Sequence, residues 1–149
     1  MRKSISLVSA ILLLSVASWG NAGGCFDSVP DFDDCNVRGE QGDVASQLLL
    51  AMTFEGGTPQ DHKTAVYWYT KAATQGNAIA QLALGIMYYE GRGAPKDYVM
   101  AHMLWNMSAV QGNKNAEEMS GSITKLMTPA QIEQSHRQAR EWVSSRNKT

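Results

Sequence analysis

Three histidines and a short acidic segment are the side chains of this 149-residue chain whose types could support metal chemistry. His62, His102 and His136 share no spacing that places two of them on one helix face, which excludes a metal site built within a single helix. Each is expected to be a surface histidine or a packed histidine with its hydrogen bonds satisfied. The histidines therefore predict no metal site.

The acidic segment holds four aspartates between residues 27 and 34, and carboxylates are ligands that Ca²⁺ prefers. The four are Asp27, Asp31, Asp33 and Asp34. The segment lacks the glycine and the distal glutamate of a helix–loop–helix calcium site, and Cys35 stands at a ligand position. We interpret the segment as a solvated loop tied by a disulfide, with no metal.

The first residues have the three-part pattern of a secretory signal. Arg2 and Lys3 give a positive start, residues 5–16 are uncharged and largely apolar, and small and polar residues follow as far as Ala22. At roughly 1.5 Å per residue the apolar run covers about 18 Å as a helix, short of a bilayer core of about 30 Å. We expect cleavage after Ala22, no membrane span afterwards, and a periplasmic or secreted location.

Cys25 and Cys35 are the two cysteines of the chain, and both follow the expected cleavage site. In an oxidising compartment such a pair usually forms a disulfide, and a loop this short gains about 2–3 kcal/mol in the loop-entropy model. The bond would tie down residues 23–40. The alternative is a lipid anchor on Cys25, although Ala22 stands where lipoprotein signals usually carry a larger aliphatic residue and Cys35 would lose its partner.

Patterns typical of catalysis are missing from the sequence. We find no Gly-x-Ser-x-Gly elbow, phosphate-binding loop, dinucleotide fingerprint or zinc-protease motif, and export opposes a free cysteine nucleophile. Removing Arg2 and Lys3 from the 13 basic residues leaves 11 against 14 acidic ones, without a basic patch, so nucleic acid is not an expected partner. We predict no catalytic residues, no cofactor and no metal.

An internal repeat is the strongest pattern in the chain, and such periods are typical of solenoid proteins. Residues 65–77 align with 101–113 at an offset of 36, so that alanines, bulky residues, an aromatic residue and a Gln-Gly-Asn triplet recur. A weaker copy begins at residues 41–43, which match 75–77 at an offset of 34. The upstream copy lacks two residues after Gly57.

Each unit is predicted to be a pair of helices. The apolar residues of 65–73 recur at helical spacing on one face, and residues 78–89 are apolar nearly all round, as expected for an inner helix. Between the two helices, Gly76 is placed to end the first in a left-handed conformation and Asn77 to cap the second. A further cap is expected at Asp97.

Gly85 lies inside the apolar helix, where it costs about 1 kcal/mol against alanine. We interpret it as a point of close helix approach, with a bulky residue of the Trp68 or Leu104 class as its neighbour. The predicted repeat core consists of apolar, aromatic and small residues in helical phase: Ala65, Trp68, Tyr69, Ala73, Leu82, Gly85, Tyr88, Ala101, Leu104, Trp105 and Ala109.

The run from Ala78 through Gly85, Gly91-Arg-Gly93-Ala-Pro95 and Asp97 resembles the Sel1-like repeat family, a relative of the tetratricopeptide repeat. The resemblance covers roughly residues 41–118. It implies an all-α fold, a short α-solenoid of antiparallel helix pairs, and roles in scaffolding, assembly or signalling rather than chemistry.

Two departures from the family pattern limit the array. Ala51 stands where the family has glycine, and the third unit is expected to hold only the start of its first helix because Glu117, Glu118 and Ser120 break the apolar pattern. We therefore predict two full units and a fragment.

The end of the chain is predicted to be a capping helix. Thr128-Pro129 with Gln131 combines an N-cap residue, proline in the first turn and a glutamine three after the cap. One apolar stripe and a polar remainder suit a helix that ends an array in water, with fraying from Ser144 onward. The expected segments are a signal peptide at 1–22, the N-terminal segment at 23–40, repeats at 41–127, and the cap and tail at 128–149.

Tyr67, Tyr89 and Asn106 fall off the main apolar stripe and are the predicted protein-binding surface, since exposed aromatics often anchor peptides. The favoured function is an exported adaptor or scaffold that binds a peptide segment or helix of another protein. Two alternatives stay open. Cysteine-rich exported relatives suggest binding or hydrolysis of cell-wall fragments or β-lactams, although their cysteines pair inside the repeats. The other is a structural subunit of an envelope complex.

Overall fold

The computed structural model describes residues 32–146, and this part of the chain consists of helices joined by short turns. The predictions on the signal peptide, Cys25, Asp27, Asp31 and the last three residues lie outside the described range. In chain order the helices are α1 (Phe32–Glu40), α2 (Val44–Glu55), α3 (Pro59–Thr74), α4 (Ala78–Glu90), α5 (Tyr98–Val110), α6 (Lys114–Ile123), a 3₁₀ turn (Thr124–Leu126) and α7 (Pro129–Arg146). Within residues 32–146 no helix is both long and apolar enough to cross a membrane.

The same turn separates the units three times. A glycine in the left-handed region ends one helix, and the Asp or Asn that follows caps the next by accepting a backbone N–H three residues on. The glycines are Gly42, Gly76 and Gly112, with φ of 99°, 92° and 92°. The caps are Asp43 on Ser46, Asn77 on Ala80 and Asn113 on Ala116. The predicted roles of Gly76 and Asn77 are confirmed, as is the cap at Asp97.

The helices stack as successive pairs. α2 packs against α3 and α4 against α5, and the pairs meet where α3 contacts α4. Large side chains with less than 2% exposure fill the space between them, among them Leu50, Tyr69, Leu84, Met87 and Leu104. The predicted all-α solenoid is confirmed for the described residues.

The N-terminal segment differs from the predicted loop, because its described part is the helix α1. Asp33 and Asp34 lie in its first turn, where carboxylates favour a helix N-terminus. Cys35 and Gly39 are buried in its contact with the repeats. A Cβ on Gly39 would lie only 2.9 Å from the Trp68 ring, so glycine allows α1 to approach this closely. α1 therefore stands in the place of a preceding unit's second helix.

Helix α6 is more complete than predicted. It runs for ten residues, and its inner side buries Ala116, Ser120 and Ile123. Ser120 was expected to break the apolar pattern, but its hydroxyl donates to Asn106 Oδ1 across the contact with α5. A small hydroxyl group that has a hydrogen-bond partner can be buried. The sequence pattern alone shows only that serine is polar and therefore predicts an exposed position.

Helix α7 begins as predicted and ends later. Thr128 and Gln131 form the reciprocal cap, with Gln131 N donating to Thr128 Oγ1 (3.2 Å) and Thr128 N to Gln131 Oε1 (2.9 Å). The helix continues to Arg146 instead of fraying at Ser144, and the Arg146 guanidinium lies against Gly76 at the end of α3. The principal partner of α7 is α5, so the last helix folds back along the second unit.

Candidate functional site

The predicted core residues lie in the interior of the helix stack. Leu82, Tyr88 and Ala109 are half-buried against it, and the others are buried: Ala65, Trp68, Tyr69, Ala73, Gly85, Ala101, Leu104 and Trp105. The neighbour of Gly85 is Trp105 and not the expected Trp68 or Leu104. The helical phase of α5 turns Trp105 toward α4, so the prediction of Leu104 was wrong by one position.

Tyr67 is exposed but engaged within the chain. Its hydroxyl donates to Glu40 Oε1 at 2.7 Å, and Lys71 Nζ lies 4.9 Å above its ring and also contacts Glu40. The bonds from Lys71 and Tyr67 hold the pKa of the Glu40 carboxyl below its ordinary value. This cluster joins α1 to α3, which gives Tyr67 a structural task.

Tyr89 lies at the edge of a small apolar cavity of about 240 Å³. Its ring is 5.5 Å from that of Tyr98 and 5.6 Å from that of Trp105. The other walls come from α4, α6 and the 3₁₀ turn, and they include Ile86, Met119, Ile123 and Leu126. The structure therefore places Tyr89 at a concave apolar feature, well separated in sequence from the surroundings of Tyr67.

Asn106 is half-buried rather than fully exposed, because it belongs to a chain of side-chain hydrogen bonds. Ser120 Oγ donates to Asn106 Oδ1, and Asn106 Nδ2 lies 3.2 Å from His102 Nε2. His102 Nδ1 lies 2.6 Å from Ser135 Oγ, which donates to the carbonyl oxygen of Ile132 at 2.8 Å. A neutral His102 with its proton on Nδ1 can donate to Ser135 Oγ and accept from Asn106 Nδ2 at Nε2, and the 3.3 Å approach of Asn106 Nδ2 to Nδ1 is then a contact without a hydrogen bond.

The His102–Ser135 contact has the elements of a nucleophile and a base, yet its geometry is structural. Ser135 is fully buried and gives its proton to the Ile132 carbonyl oxygen. His102 is 3% exposed. Burial, with a smaller contribution from His136, lowers the pKa of His102. The contact fixes α7 to α5.

Beside this contact, α5 and α7 enclose a groove of about 690 Å³. Its apolar lining comes from Met107 and Val110 on α5 and from Ala139 and Val143 on α7. Val110 is 88% exposed, the most exposed large apolar side chain in the described residues. A large apolar side chain that is so exposed to water at a concave surface is typical of a binding site.

Polar groups border the groove. The amides of Gln81 and Gln111 are joined at its base, with Gln111 Nε2 donating to Gln81 Oε1 at 2.8 Å. Arg140 and Arg146 border it on the side of α7. No Asp or Glu is among the residues that line it.

Differences between the two aligned repeats indicate this groove in the sequence. At the offset of 36, Val110 corresponds to Thr74 and Met107 to Lys71, so two polar positions of α3 become apolar in α5. A repeat position that turns apolar on an outward face indicates a new contact. Here that contact is the wall facing α7.

Comparison with known proteins agrees with this architecture. The Sel1 repeat pattern matches residues 44–77 and 78–113, which correspond to α2 with α3 and to α4 with α5. A crystal structure of a Sel1 repeat protein from Oxalobacter formigenes is similar, with 36% sequence identity over 60% of this chain and a TM-score of 0.56. A protective antigen of uropathogenic Escherichia coli with an SLR fold shares 24% identity over 76% of this chain, with a TM-score of 0.47.

This chain spans 26% and 32% of the lengths of those two solved structures. The two matched units follow one another without a gap, and their boundary falls at the turn between Asn77 and Ala78. Residues 44–113 are therefore two consecutive Sel1 repeats.

Proposed function

We propose that this protein is an adaptor or scaffold of the cell envelope that binds a segment of another protein in the groove between α5 and α7. Sel1 repeats generally mediate protein–protein interactions. The observation that carries the proposal is Val110, 88% exposed at the edge of a concave apolar surface where α3 has a threonine.

The dimensions of the groove favour a segment over a broad domain surface. About 690 Å³ lies within the range of roughly 300–1,000 Å³ typical of ligand sites, so it accommodates a few side chains. Met107, Val110 and Val143 would supply most of the apolar contact. Two repeats offer little further surface, so we expect modest affinity or a place in a larger assembly.

The envelope location rests on the leader pattern at residues 1–22 and on the cysteine pair that follows it. Periplasmic or secreted protein is the form we propose, with a lipid anchor on Cys25 as the alternative. An intact mass of the protein purified from its native envelope separates these forms, since acylation adds a large lipid increment.

The adaptor proposal is tested by site-specific photo-cross-linking. A photoreactive amino acid is placed at position 110 of the full chain and, as a matched control, at position 74, the equivalent exposed position of α3. We expect one protein to cross-link reproducibly from position 110 and not from position 74, and the purified partner to lose binding when Val110→Glu is introduced while Thr74→Glu has no effect.

Two results would overturn the proposal. The first is cross-linking that does not depend on position or is unaffected by Val110→Glu. The second is capture of cell-wall fragments alone, or turnover of the β-lactam nitrocefin, by a chain that recovers no protein. Circular dichroism of both glutamate variants verifies that the helices are intact.

A further inference from the structure

Two histidine rings face each other where α7 lies along α5. The ring centroids of His102 and His136 are 5.7 Å apart, and His102 Nδ1 lies 2.6 Å from Ser135 Oγ on α7. Helix α5 carries no Asp, Glu, Lys or Arg. A titratable ring is therefore buried under α7, beside a second titratable ring, on a helix that supplies no charge to balance it.

The surroundings of His102 suit a neutral ring and oppose a charged one. Ser120 Oγ donates to Asn106 Oδ1, which directs Asn106 Nδ2 toward His102 Nε2, 3.2 Å away. With the first proton on Nδ1, an added proton would occupy Nε2, where two donors would then face each other. Burial and His136 lower the pKa of His102, and no acidic residue of the described chain opposes them.

The charged groups on the helices around α5 do not offset a charge on His102. They pair among themselves: Glu133 with Arg137 and Arg140 on α7, Lys114 with Glu117 on α6, and Glu90 at the end of α4 with Arg92. Glu118 on α6 and Glu141 on α7 are exposed to water. The charge that bears on His102 is therefore that of His136.

The contact of α7 with the array is also incomplete in its hydrogen bonds. Gln138 and Trp142 lie one turn apart on the face of α7 that carries Ser135 and Ala139. Gln138 Oε1 and Trp142 Nε1 are buried and have no hydrogen-bond partner among the described residues. Water would satisfy both groups if α7 moved away, so they weaken the attachment of α7.

We propose that α7 is an acid-released clasp, which lies on α5 while His102 is neutral and detaches from α5 when His102 is protonated. Detachment exposes the His102 ring to water, which a charged imidazole requires. Met127, extended between the 3₁₀ turn and α7, supplies a joint for the motion. The inference holds whether or not the groove binds a partner, although detachment also removes the groove wall formed by Ala139 and Val143.

Hydrogen–deuterium exchange of the full chain, followed by mass spectrometry at pH 7.5 and pH 5.5, tests the proposal. Exchange times are scaled for the intrinsic pH dependence of amide exchange. Because His102 in the detached state titrates near its ordinary value of 6.5, one proton shifts the equilibrium by up to about tenfold at pH 5.5. We expect the protection of residues 129–146 to fall by about three- to tenfold between the two pH values.

Local detachment must be distinguished from unfolding of the whole chain. We expect the amides of α7 to be at least about tenfold less protected than those of α4 at pH 5.5, since α4 remains folded when α7 detaches. Equal protection of α7 and α4 at both pH values overturns the proposal, because exchange would then require global unfolding.

Histidine variants assign the effect to His102. His102→Gln should abolish the fall in α7 protection, and His62→Gln, the matched control on α3, should preserve it. A fall that persists in His102→Gln overturns the proposal. If His102→Gln leaves α7 unprotected at both pH values, NMR of the imidazole rings in the parent protein decides. Protonation of His102 and loss of α7 protection must then occur over the same pH range, and their separation overturns the proposal.

Discussion

Trp105 occupies the space that a side chain on Gly85 would need. A Cβ at Gly85 would overlap the indole, and the indole Nε1 donates to the carbonyl oxygen of Leu82 at 3.1 Å. In the preceding unit the corresponding positions hold Ala51 and Tyr69, both buried. The larger ring of Trp105 is thus paired with glycine, and the smaller ring of Tyr69 is paired with alanine. The two positions vary together between the units.

Gly85→Ala is therefore expected to destabilise the protein in spite of the better helix propensity of alanine. Overpacking of this kind costs about 1–3 kcal/mol in the free energy of unfolding, measured by urea denaturation. The matched control is Gly121→Ala in α6, where a Cβ meets nothing within 4 Å and alanine should stabilise by about 0.5–1 kcal/mol. In the Trp105→Tyr background the cost of Gly85→Ala should shrink. An undiminished cost would contradict the proposed overlap.

Buried glutamines link successive helices at two corresponding places. Gln47 Nε2 donates to Gly39 O (2.7 Å), and Gln47 Oε1 accepts from Gln75 Nε2 (2.9 Å). In the same way Gln81 Nε2 donates to Ala73 O (3.3 Å), and Gln81 Oε1 accepts from Gln111 Nε2 (2.8 Å). The repeated Gln-Gly-Asn triplet thus supplies one glutamine of each pair.

Gln81→Leu keeps the buried volume and removes both bonds. We expect a loss of about 1–3 kcal/mol in the free energy of unfolding, from roughly 0.5–1.5 kcal/mol for each hydrogen bond. Gln111→Ala, which removes only the exposed partner, should cost less than Gln81→Leu in the same chemical denaturation. Equal costs for the two variants would show that the buried bond to Ala73 O contributes nothing.

His102 makes stability depend on pH. Burial and the nearby His136 lower the pKa of His102 in the folded protein below its ordinary value of 6.5, so the unfolded chain binds its proton more readily. The stabilisation is complete above pH 6.5 and is lost as the pH falls through the folded pKa. Urea unfolding at several pH values should show this decline, and His102→Gln should flatten it below pH 6.5.

His62→Gln is the control for this pH dependence, because His62 lies on α3 outside the hydrogen-bonded chain of His102. It should keep the decline of the parent protein. A parallel loss of stability in His102→Gln and the parent protein between pH 7.5 and pH 5.5 would contradict this role of His102.

The predicted bond between Cys25 and Cys35 is tested by mass. Cys35 is 1% exposed within α1, so its side chain is held in the interior. Protein purified from the organism that makes it should be two hydrogens lighter before reduction than after it. Reduction should lower the free energy of unfolding by about 2–3 kcal/mol in the loop-entropy model. A mass that does not change on reduction, with or without a lipid increment, contradicts the pairing.

The repeated elements could be predicted from the sequence because their signals are local. Gly76 predicts the end of one helix and Asn77 predicts the start of the next, and both roles are confirmed. The cap formed by Thr128 and Gln131 spans four residues and is likewise confirmed. Such features depend on backbone conformation and nearest neighbours, which the local sequence determines.

The candidate site depends on contacts between distant residues and was therefore missed. His102 meets Ser135 across 33 positions of sequence, and the groove exists only because α7 lies along α5. Helical phase predicts a surface position for Asn106 because it does not show what packs outside a helix. The feature of the sequence that indicates the groove is the pair of corresponding positions Thr74 and Val110, which is polar in one unit and apolar in the next.

The glutamine pairs and the glycine turns give the array a uniform joint between one unit and the next. A chain that duplicates residues 78–113 directly after Asn113 gains a further copy of the glycine turn and of the Gln81–Gln111 pair, and α5 then takes the place beside the inserted helices that α3 has beside α4. Gene duplication can therefore change the number of repeats by one unit at a time. The helices α1 and α7 stay on either side of the enlarged array. A joint of this kind lets evolution alter the reach of the protein without redesigning its interior.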